Sequence, residues 1–500
     1  MWTTVVLALT LIAFIFYRAA ARPPNYPPGP LSLPLVGSML SLLPNPKEGF
    51  KNLREKYGDI FSINTFRRWG IVINNPTLMR EAFNDPDFQG RITLYLFISR
   101  NVIISGKEDP LGILGTSGDV WKHQRRFTLR ALKDQGFGKH SLEPVMQSEL
   151  VELGQYLASQ EKEKVTVGLL FNRSIINVIW AMVMGKRFSH GDKRLNELAD
   201  KVNKMLQTFD PFNPALSFKI IKKLFPNLEI FKKVDGYMKD LLHFIEEQMT
   251  TYEADMEETE DDGSYIGVYL KEMKECALQN KETPLSMNHL KANILELFIA
   301  GSETTASTLW WSIYLLASNP KVQLAIQEEL DQVIGTDDIP NLSHIDQVPY
   351  TTAAIYEVQR LADLVPFAIP HETTADTTIA GYTLPKGTRV MFNLSSSMKD
   401  PKYWKHPDKF YPEHFLNSDG KPHKPEAFMP FGHGKRVCLG ESLARIELFL
   451  FFTNLVHRFS WKLTEDPVTW EKSTIITRPP NCTVYVEQRE ATRNVYCCTA

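Results

Sequence analysis

The sequence predicts one large, mainly helical domain with small β-sheets, preceded by an N-terminal anchor helix. Residues 141–300 show helical periodicity interrupted by loop signals, and a further long helical run covers residues 288–318. Short segments at 60–64 and 71–74 are typical of strands. Although 500 residues could form several domains, no flexible linker follows residue 35, so a single large domain is the simpler organisation.

The composition limits the class of protein. Hydrophobic residues make up 43% of the chain, which is enough for a large core. The net charge of -2 argues against a nucleic-acid binder, because such proteins depend on contacts between basic residues and phosphates. The few, scattered cysteines do not form a disulfide framework and indicate a reducing compartment such as the cytosol. They are residues 276, 438, 482, 497 and 498.

The first 21 residues are predicted to be a membrane anchor. Residues 2–17 are almost continuously apolar, and Arg18 and Arg22 follow them. The alternative is a cleaved secretory signal, but signal peptides carry their positive charge before the apolar run. The sequence therefore predicts a retained transmembrane helix with its positive end, and the bulk of the protein, in the cytosol.

The rest of the chain divides into three parts. Residues 22–34 are rich in proline, which favours polyproline II and predicts a stiff spacer. Residues 35–490 form the main domain, and residues 491–500 form a C-terminal tail.

One cysteine lies in a glycine-rich loop directly before a helical pattern. Residues 431–440 read F-x-x-G-x-R-x-C-x-G, with Cys438 as the cysteine. We expect the helix N-terminus to lower the thiol pKa, and a thiolate is a good ligand for a soft metal or for haem iron. Glycines 432, 434 and 440 would permit positive φ and a close approach to a flat ligand. A lone cysteine is more often a buried structural thiol, and a zinc site with His433 would need about four ligands.

A second motif, A-G-S-E-T-T at residues 300–305, lies inside the helical run. Ala300 and Thr304 are one turn apart and share a face. Glu303 and the Thr304 hydroxyl could pass protons from solvent, although a helical threonine can also bond to its own helix carbonyl. Gly301 costs up to roughly 1 kcal/mol in a helix, which suggests close approach to something flat or a local distortion.

Two further pairs of side chains have helical spacing. Glu357 and Arg360 form an i,i+3 pair of a carboxylate with a guanidinium. Trp121 and Arg125 lie at i,i+4, and both can donate a hydrogen bond to a carboxylate.

These motifs together resemble the cytochrome P-450 monooxygenases, most closely the microsomal family-two group. The cysteine loop matches every fixed position of the family's haem-binding signature, and the other motifs follow in the family's order over nearly the whole chain. The resemblance implies the cytochrome P-450 fold, with haem b between the helix that holds Thr304 and the loop that holds Cys438. It also implies that Cys438 is the axial ligand of the iron.

The resemblance assigns roles to further residues. The positions that correspond to haem contacts are Trp121, Arg125, His371, Arg436, Ala300, Phe431, Gly440 and Arg91. The buried pair of Glu357 and Arg360 acquires His414 as a third, structural partner. Val365, Phe367 and Ile476 match substrate-pocket positions. The cations at the proximal surface, expected to dock a reductase, are Lys122, Arg126, Lys133 and Lys435. The stretch from Arg91 to Trp121 is longer than in relatives and, by resemblance, roofs the substrate pocket.

The implied activity is insertion of one atom of O2 into an apolar small molecule, by hydroxylation or epoxidation. Lipids, terpenoids, steroids and xenobiotics are all possible substrates. Electrons would come from NADPH through a flavoprotein reductase, with cytochrome b5 as a further candidate partner, at the endoplasmic reticulum membrane. Residues 211–226 correspond to a mobile lid that can dip into the membrane. The alternatives are a haem-thiolate isomerase or dehydratase acting on a lipid peroxide without a reductase, and a non-catalytic haem carrier.

Overall fold

The structure is a computed structural model. It describes residues 2–4, 7, 10, 14, 21–33, 36–65, 68–134, 136–137, 140–189, 192–210, 212–217, 219–256, 263–464, 476–480 and 482–492. Most of the predicted anchor (1–21) and most of the predicted tail (491–500) therefore lie outside the described residues. None of the helices in the described part of the chain is both long enough and apolar enough to cross a bilayer.

The described main body is mainly helical, as predicted. Its helices, numbered here in chain order, are α1 (Pro46–Tyr57), α2 (Pro76–Asn84), α3 (Tyr95–Ser105), α4 (Gly118–Asp134), α5 (Glu143–Ser159), α6 (Asn172–Met184), α7 (Lys193–Thr208), α8 (Pro214–Ser217), α9 (Lys219–Leu224), α10 (Glu229–Met256), α11 (Tyr265–Leu278), α12 (Met287–Ser318), α13 (Pro320–Val333), α14 (Pro349–Ala362), α15 (Leu394–Met398) and α16 (Glu441–Arg458). The predicted helical run at 288–318 is confirmed as α12.

Three small sheets accompany the helices in the described part of the chain. The strands are β1 (Ile60–Thr65), β2 (Arg68–Ile73), β3 (Gly90–Arg91), β4 (Lys164–Thr166), β5 (His371–Glu372), β6 (Thr377–Ile379), β7 (Tyr382–Leu384), β8 (Arg389–Phe392), β9 (Phe459–Leu463) and β10 (Thr483–Gln488). The largest sheet has the order β1-β2-β8-β5-β3, in which β2 and β8 are parallel and the other pairs antiparallel. The predicted strands at 60–64 and 71–74 are confirmed as β1 and β2.

Helix α12 forms the centre of the main core. Ser286 caps its N-terminus, because the Ser286 side chain accepts the N–H of His289 and so satisfies one of the free donors of the first turn. Residues from α5, α6, α10 and α16 belong to the same buried cluster. Helix α16 starts directly after the cysteine loop, so the core fixes that loop against the long central helix.

The proline-rich segment lies against the large sheet. The N–H of Ser62 in β1 donates to the carbonyl of Pro28 at 2.8 Å, and the Ser62 hydroxyl donates to that of Pro27. Tyr26 is buried and its hydroxyl is 2.7 Å from Thr388 Oγ1. This part of the predicted spacer is therefore tied to the domain.

Candidate active site

The cysteine loop presents Cys438 at the N-terminus of α16. The N–H of Cys438 donates to the carbonyl of Phe431 at 2.9 Å, which closes the loop, and Gly440 caps the helix. Gly434 has φ +68°, and a Cβ there would lie 2.2 Å from the carbonyl oxygen of Phe83, so only glycine fits. Gly440, as the helix N-cap, has φ -84° and does not use this freedom.

The Cys438 thiol is accessible at its surface but lies deep within the fold. Burial raises its pKa, although the N–H groups of Gly440 and Glu441 and the charge of Arg125 act in the opposite direction. The prediction of a lowered thiol pKa is therefore wrong in sign for the protein alone. A metal cation at the sulfur would reverse the balance, since metals deprotonate the thiols that coordinate them.

Helix α12 opens to solvent at the second motif. Within residues 291–317, all of which the structure describes, Ala300 is the single exposed residue, and Thr304 one turn later is half-buried. The Thr304 hydroxyl donates to the carbonyl of Ala300 at 2.7 Å, which is the local bond considered as an alternative from the sequence. Ala300 and Thr304 therefore share an accessible face in an otherwise buried stretch.

Gly301 serves helix packing. A Cβ at this position would lie 2.6 Å from Cδ1 of Ile179 in α6. The close approach at Gly301 that the structure shows is therefore to a neighbouring helix.

Glu303 is held in a buried ion pair. Its carboxylate accepts hydrogen bonds from Arg478 at 2.8 Å, from Ser307 at 3.0 Å and from Asn172 at 3.3 Å. Its side chain is only 3% exposed, so the expected direct exchange of protons with solvent does not match its position. The sequence did not reveal Arg478 as a partner, because 175 residues separate the two. The only signal was a cation in the apolar segment I-I-T-R-P-P.

Three predicted haem-contact arginines form a cationic cluster. Burial, together with the charge of Arg125, lowers the pKa of Arg91 to about 9. Burial, together with the charges of Arg91 and Arg125, lowers the pKa of Arg436 to about 8. Arg91 donates to the carbonyl of Ile369 at 2.7 Å, and Arg125 donates to that of Val437 at 2.6 Å. The cluster is thus repulsive as it stands, and a bound anion would stabilise it.

Two buried donors in this region have no hydrogen-bond partner among the residues that the structure describes. They are Nε of Arg91 and Nε1 of Trp121. Unpartnered buried donors are rare in folded proteins because each one costs free energy. Together with the cationic cluster, they provide the chemistry that holds a carboxylate.

His371 and Arg436 already use much of their hydrogen-bonding capacity. The His371 ring donates Nδ1–H to the carbonyl of Phe88 at 2.6 Å. Burial and the charge of Arg91 hold its pKa well below the usual value, so it could donate from Nε2 only after gaining a proton. Arg436 donates to the carbonyls of Gln89 and Thr116, both at 2.8 Å.

The long stretch between Arg91 and Trp121 is anchored at several points. It contains α3, where buried Arg100 pairs with Glu296 of α12. The Glu296 carboxylate also accepts the N–H of Ile113 at 2.7 Å and of Leu114 at 3.0 Å. The Arg436 guanidinium stacks 3.7 Å from the ring of Trp121. Sequence analysis did not identify Glu296 and Arg100. The available signal was Arg100 itself, a single arginine within the apolar run Y-L-F-I-S-R-N-V-I-I-S.

The structure brings the three predicted structural residues together. Arg360 donates to both carboxylate oxygens of Glu357, at 2.7 and 2.8 Å, and His414 Nδ1 lies 3.2 Å from one of them. Arg360 and Glu357 are fully buried. Arg360 also donates to the carbonyls of Met398, Pro407 and Lys409, so its charge holds the segment after α15 in place.

The three predicted pocket residues lie in two neighbouring segments. The N–H of Thr477 donates to the carbonyl of Leu364 at 2.7 Å. This hydrogen bond brings together the segments that hold Ile476 and Val365. The ring of Phe367 packs 4.9 Å from that of Phe50 and 6.2 Å from that of Phe212. Phe367 thus belongs to an aromatic cluster beside the large sheet.

The four cations predicted for docking are all exposed. Lys122, Arg126 and Lys133 lie on α4 at spacings of four and seven, which places them on one face. Lys122 pairs with Asp119 at 2.9 Å. Lys435 lies in the cysteine loop, and the bond from Arg125 to Val437 joins this loop to α4. The cysteine loop with Lys435 is therefore joined to α4, the helix that carries the other three cations.

A buried acid links the two central helices. Thr305 of α12 donates to the carboxylate of Glu447 in α16 at 3.1 Å. Burial raises the pKa of Glu447 to about 8, so its folded-state side chain is mostly protonated at neutral pH. Within the described residues, no cluster of His, Cys, Asp and Glu is placed to hold a metal ion, so a zinc site built on His433 and Cys438 gains no support.

This acid predicts a pH-dependent stability. In the folded state Glu447 keeps its proton up to about pH 8, whereas the ordinary pKa of a glutamate is 4.5. The free energy of unfolding therefore falls as the pH rises between these two values. For one proton, the free energy of unfolding changes by at most about 1.4 kcal/mol per pH unit. We expect Glu447→Gln to remove this contribution, measured as the pH dependence of the apparent Tm. The exposed control Glu275→Gln should keep the wild-type dependence, and an unchanged slope in Glu447→Gln would contradict the prediction.

Comparisons with known proteins agree with this arrangement. The cytochrome P450 family model matches residues 27–486. The chain is 35% identical to rat cytochrome P450 2J3 over 480 residues, with 92% of both chains covered. It is 36% identical to rat cytochrome P450 2B2 (91% of this chain, 92% of the relative) and 35% identical to pig vitamin D(3) 25-hydroxylase (92% of both). The chain therefore belongs to the cytochrome P450 family of haem-dependent oxidoreductases, whose electrons come from NADPH through a reductase.

Proposed function

We propose that the protein inserts one atom of O2 into an apolar small molecule, by hydroxylation or epoxidation. The observation that carries this proposal is the accessible Cys438 thiol at a helix N-terminus, next to a buried cationic cluster with unpartnered donors. Family membership supports the same reaction class. The substrate is an apolar lipid, terpenoid, steroid or xenobiotic.

The residues present fit haem. Cys438 would ligate the iron, and Arg91, Arg125 and Trp121 would hold the propionates. A carboxylate there would offset the repulsion between the two arginines and would give partners to Nε of Arg91 and Nε1 of Trp121. When bound, haem supplies the oxidative chemistry, which a thiolate ligand favours by promoting O–O cleavage.

The residues of α12 would control proton delivery. A threonine hydroxyl has one proton, so Thr304 must release the carbonyl of Ala300 before it can donate elsewhere. Arg478 holds the Glu303 carboxylate in a buried ion pair, so Glu303 could move a proton only when this pair loosens. Arg478 is thus a positioning residue for the acid in this proposal.

Replacing Thr304 tests the reaction class. With NADPH and reductase, we expect Thr304→Ala to keep consuming NADPH while product formation falls by about a hundredfold, the lower range for loss of a proton donor. The measurement is the ratio of product formed to NADPH consumed across a panel of apolar lipids. Thr308→Ala is the matched control, because Thr308 likewise bonds to its own helix, at the Thr304 carbonyl.

The opposite result would favour the alternative enzyme. If wild type and Thr304→Ala convert a lipid hydroperoxide equally well without NADPH, the protein is a haem-thiolate isomerase or dehydratase and the monooxygenase proposal is wrong.

The exposed cations around Cys438 are proposed to dock the reductase, and cytochrome b5 is a further candidate for this surface. We expect the double change Lys122→Glu with Arg126→Glu to raise the reductase concentration needed for half-maximal turnover by about tenfold at low salt. The difference should shrink as salt is added. Lys232→Glu with Lys239→Glu on α10 makes the same change in charge elsewhere and should behave as wild type. Equal reductase dependence in both variants would exclude this docking surface.

We further propose that the protein lies at the endoplasmic reticulum membrane, held by a single N-terminal span, with its main domain in the cytosol. Among the described residues of the predicted anchor, Trp2, Leu7 and Phe14 are helical and exposed. Exposed apolar side chains also occur at Leu31, Leu40, Leu43, Leu224 and Phe225. These exposed apolar side chains are available for contact with lipid in this proposal.

A further inference from the structure

The wall of one cavity contains a tyrosine whose hydroxyl is bound behind the wall. The cavity has a volume of about 210 Å³, and one of its sides is formed by the segments 92–98 and 209–216, here called the α3 wall. Among the described lining residues of the α3 wall, only Thr93 and Tyr95 have polar side chains, and Thr93 is exposed. Tyr95, the first residue of α3, is only 8% exposed. Its hydroxyl therefore decides whether a buried ligand meets a polar group on this side.

Asp235 of α10 accepts the hydrogen bond of that hydroxyl. The Tyr95 hydroxyl donates to Oδ1 of Asp235 at 2.8 Å. The Ser99 hydroxyl, one turn later in α3, donates to the same oxygen at 2.6 Å. Asp235 and Ser99 are both absent from the described lining of the cavity. These bonds therefore hold both hydroxyls behind the α3 wall and leave the ring of Tyr95 to face the cavity.

The Asp235 carboxylate is charged and is also held from its other side. Lys222 of α9 donates to Oδ2 of Asp235 at 2.8 Å. The Lys222 ammonium lies 4.6 Å from the ring centre of Phe231 and 5.7 Å from that of Tyr95. Although burial acts in the opposite direction, the three hydrogen bonds and the charge of Lys222 lower the pKa of Asp235. Burial and the bond to Asp235 raise the pKa of Tyr95, so its hydroxyl keeps the proton that it donates.

The Tyr95 ring lies where a small buried cluster meets the cavity. The cluster is separate from the main core and consists of Tyr95, Phe209, Leu216, Phe231 and Val234. The rings of Tyr95 and Phe231 are 5.1 Å apart. Tyr95, Phe209 and Leu216 also line the cavity. A rotation of the Tyr95 side chain would therefore carry its hydroxyl from the cluster into the cavity.

We propose that Asp235 is a positioning residue for substrate choice: by holding the Tyr95 hydroxyl behind the α3 wall, it favours an apolar substrate over the hydroxylated product. Without this acceptor, the buried hydroxyl costs free energy until it finds another partner. A bound alcohol in the cavity offers that partner, and tighter binding of the product would slow its release. The inference rests on the proposed function only for the identity of substrate and product, since the binding of either is measured without turnover.

Equilibrium dialysis of the full haem-containing protein with butylbenzene and with 4-phenylbutan-1-ol tests the proposal. The alcohol is the product of inserting one oxygen atom into a terminal C–H bond of the hydrocarbon. Asp235→Leu should raise the affinity for the alcohol relative to the hydrocarbon by about fivefold, as expected for one neutral hydrogen bond. Asp235→Asn keeps one acceptor oxygen and should give a smaller change.

Tyr95→Phe separates positioning from a general loss of structure. Alone, it should leave the ratio of the two affinities as in wild type, because the wild-type hydroxyl does not face the ligand. Combined with Asp235→Leu, it should return the ratio to the wild-type value, since no hydroxyl remains to be released. A merely structural role of Asp235 would give the same ratio with and without the hydroxyl.

Asp240→Leu is the matched control, because Asp240 lies on the same helix and pairs with Lys201 of α7 at 2.9 Å in an exposed position. It should bind both ligands as wild type does. The proposal is wrong if folded Asp235→Leu keeps the wild-type ratio, if the double variant keeps the ratio of Asp235→Leu, or if Tyr95→Phe alone shifts the ratio. If Asp235→Leu does not fold, Asp235→Asn with and without Tyr95→Phe provides the same comparison.

Turnover with NADPH and reductase separates this inference from the proposed function. If the ratio of affinities changes as expected but no apolar compound is oxidised, Asp235 positions Tyr95 and the monooxygenase proposal fails. If apolar compounds are oxidised while the ratio is the same in all variants, the reverse holds.

Discussion

Replacing Cys438 with alanine should abolish both thiolate ligation and monooxygenase activity. The thiol sits at the N-terminus of α16, where two backbone N–H groups donate to the sulfur and oppose the effect of burial on its pKa. No other described side chain at this loop could provide the same soft, anionic ligand. The measurement is the carbon monoxide difference spectrum of the reduced protein. Wild type should give the strongly red-shifted Soret band of thiolate-ligated haem, and Cys438→Ala should lack it.

Cys276→Ser is the matched control. Cys276 is a buried cysteine on α11, and its replacement should preserve the red-shifted band. A red-shifted band that persists in Cys438→Ala, or that disappears in Cys276→Ser alone, would show that the axial ligand has been misassigned.

Replacing Arg360 with leucine should have the second largest effect. The substitution leaves Glu357 charged and fully buried without its partner, and it removes the donors that three backbone carbonyls use. Breaking a buried pair from one side typically costs about 3–5 kcal/mol. We therefore expect a large loss of folded, haem-containing protein and a lower apparent Tm, measured by the yield of holoprotein and by thermal unfolding.

An exposed pair on the same protein gives the comparison. Arg130 and Glu272 form an ion pair at 3.2 Å with side chains 59% and 33% exposed. Arg130→Leu should cost about 1 kcal/mol or less, because solvent screens such a pair. If Arg360→Leu were no more destabilising than Arg130→Leu, the triad of Glu357, Arg360 and His414 would not organise the core as inferred.

Sequence patterns predicted the features that depend on local spacing. The helical run at 288–318 and the strands at 60–64 and 71–74 appear where expected, because periodicity reports which face of an element is buried. The grouping of Glu357 with Arg360 also follows from helical spacing. The loop of Cys438 could be predicted because its glycines and its neighbouring helix lie within ten residues.

Features that depend on distant parts of the chain could not be predicted. Arg478 reaches Glu303 across 175 residues, and Glu296 holds a stretch that lies more than 180 residues earlier. The sign of the Cys438 pKa shift was also missed, because local sequence indicates a helix N-terminus but not the depth of burial. The contact of Gly301 with Ile179 could not be predicted for the same reason, since Ile179 lies on another helix.

The position of Arg436 has a thermodynamic consequence. This side chain belongs to the loop of Cys438, yet it holds the carbonyls of Gln89 and Thr116 on either side of the stretch that contains α3. Arg436 therefore couples the ordering of that stretch to the position of the Cys438 sulfur. By reciprocity, any change that a ligand bound at this stretch makes in the free energy of ligation at Cys438 equals the change that ligation makes in the free energy of binding that ligand.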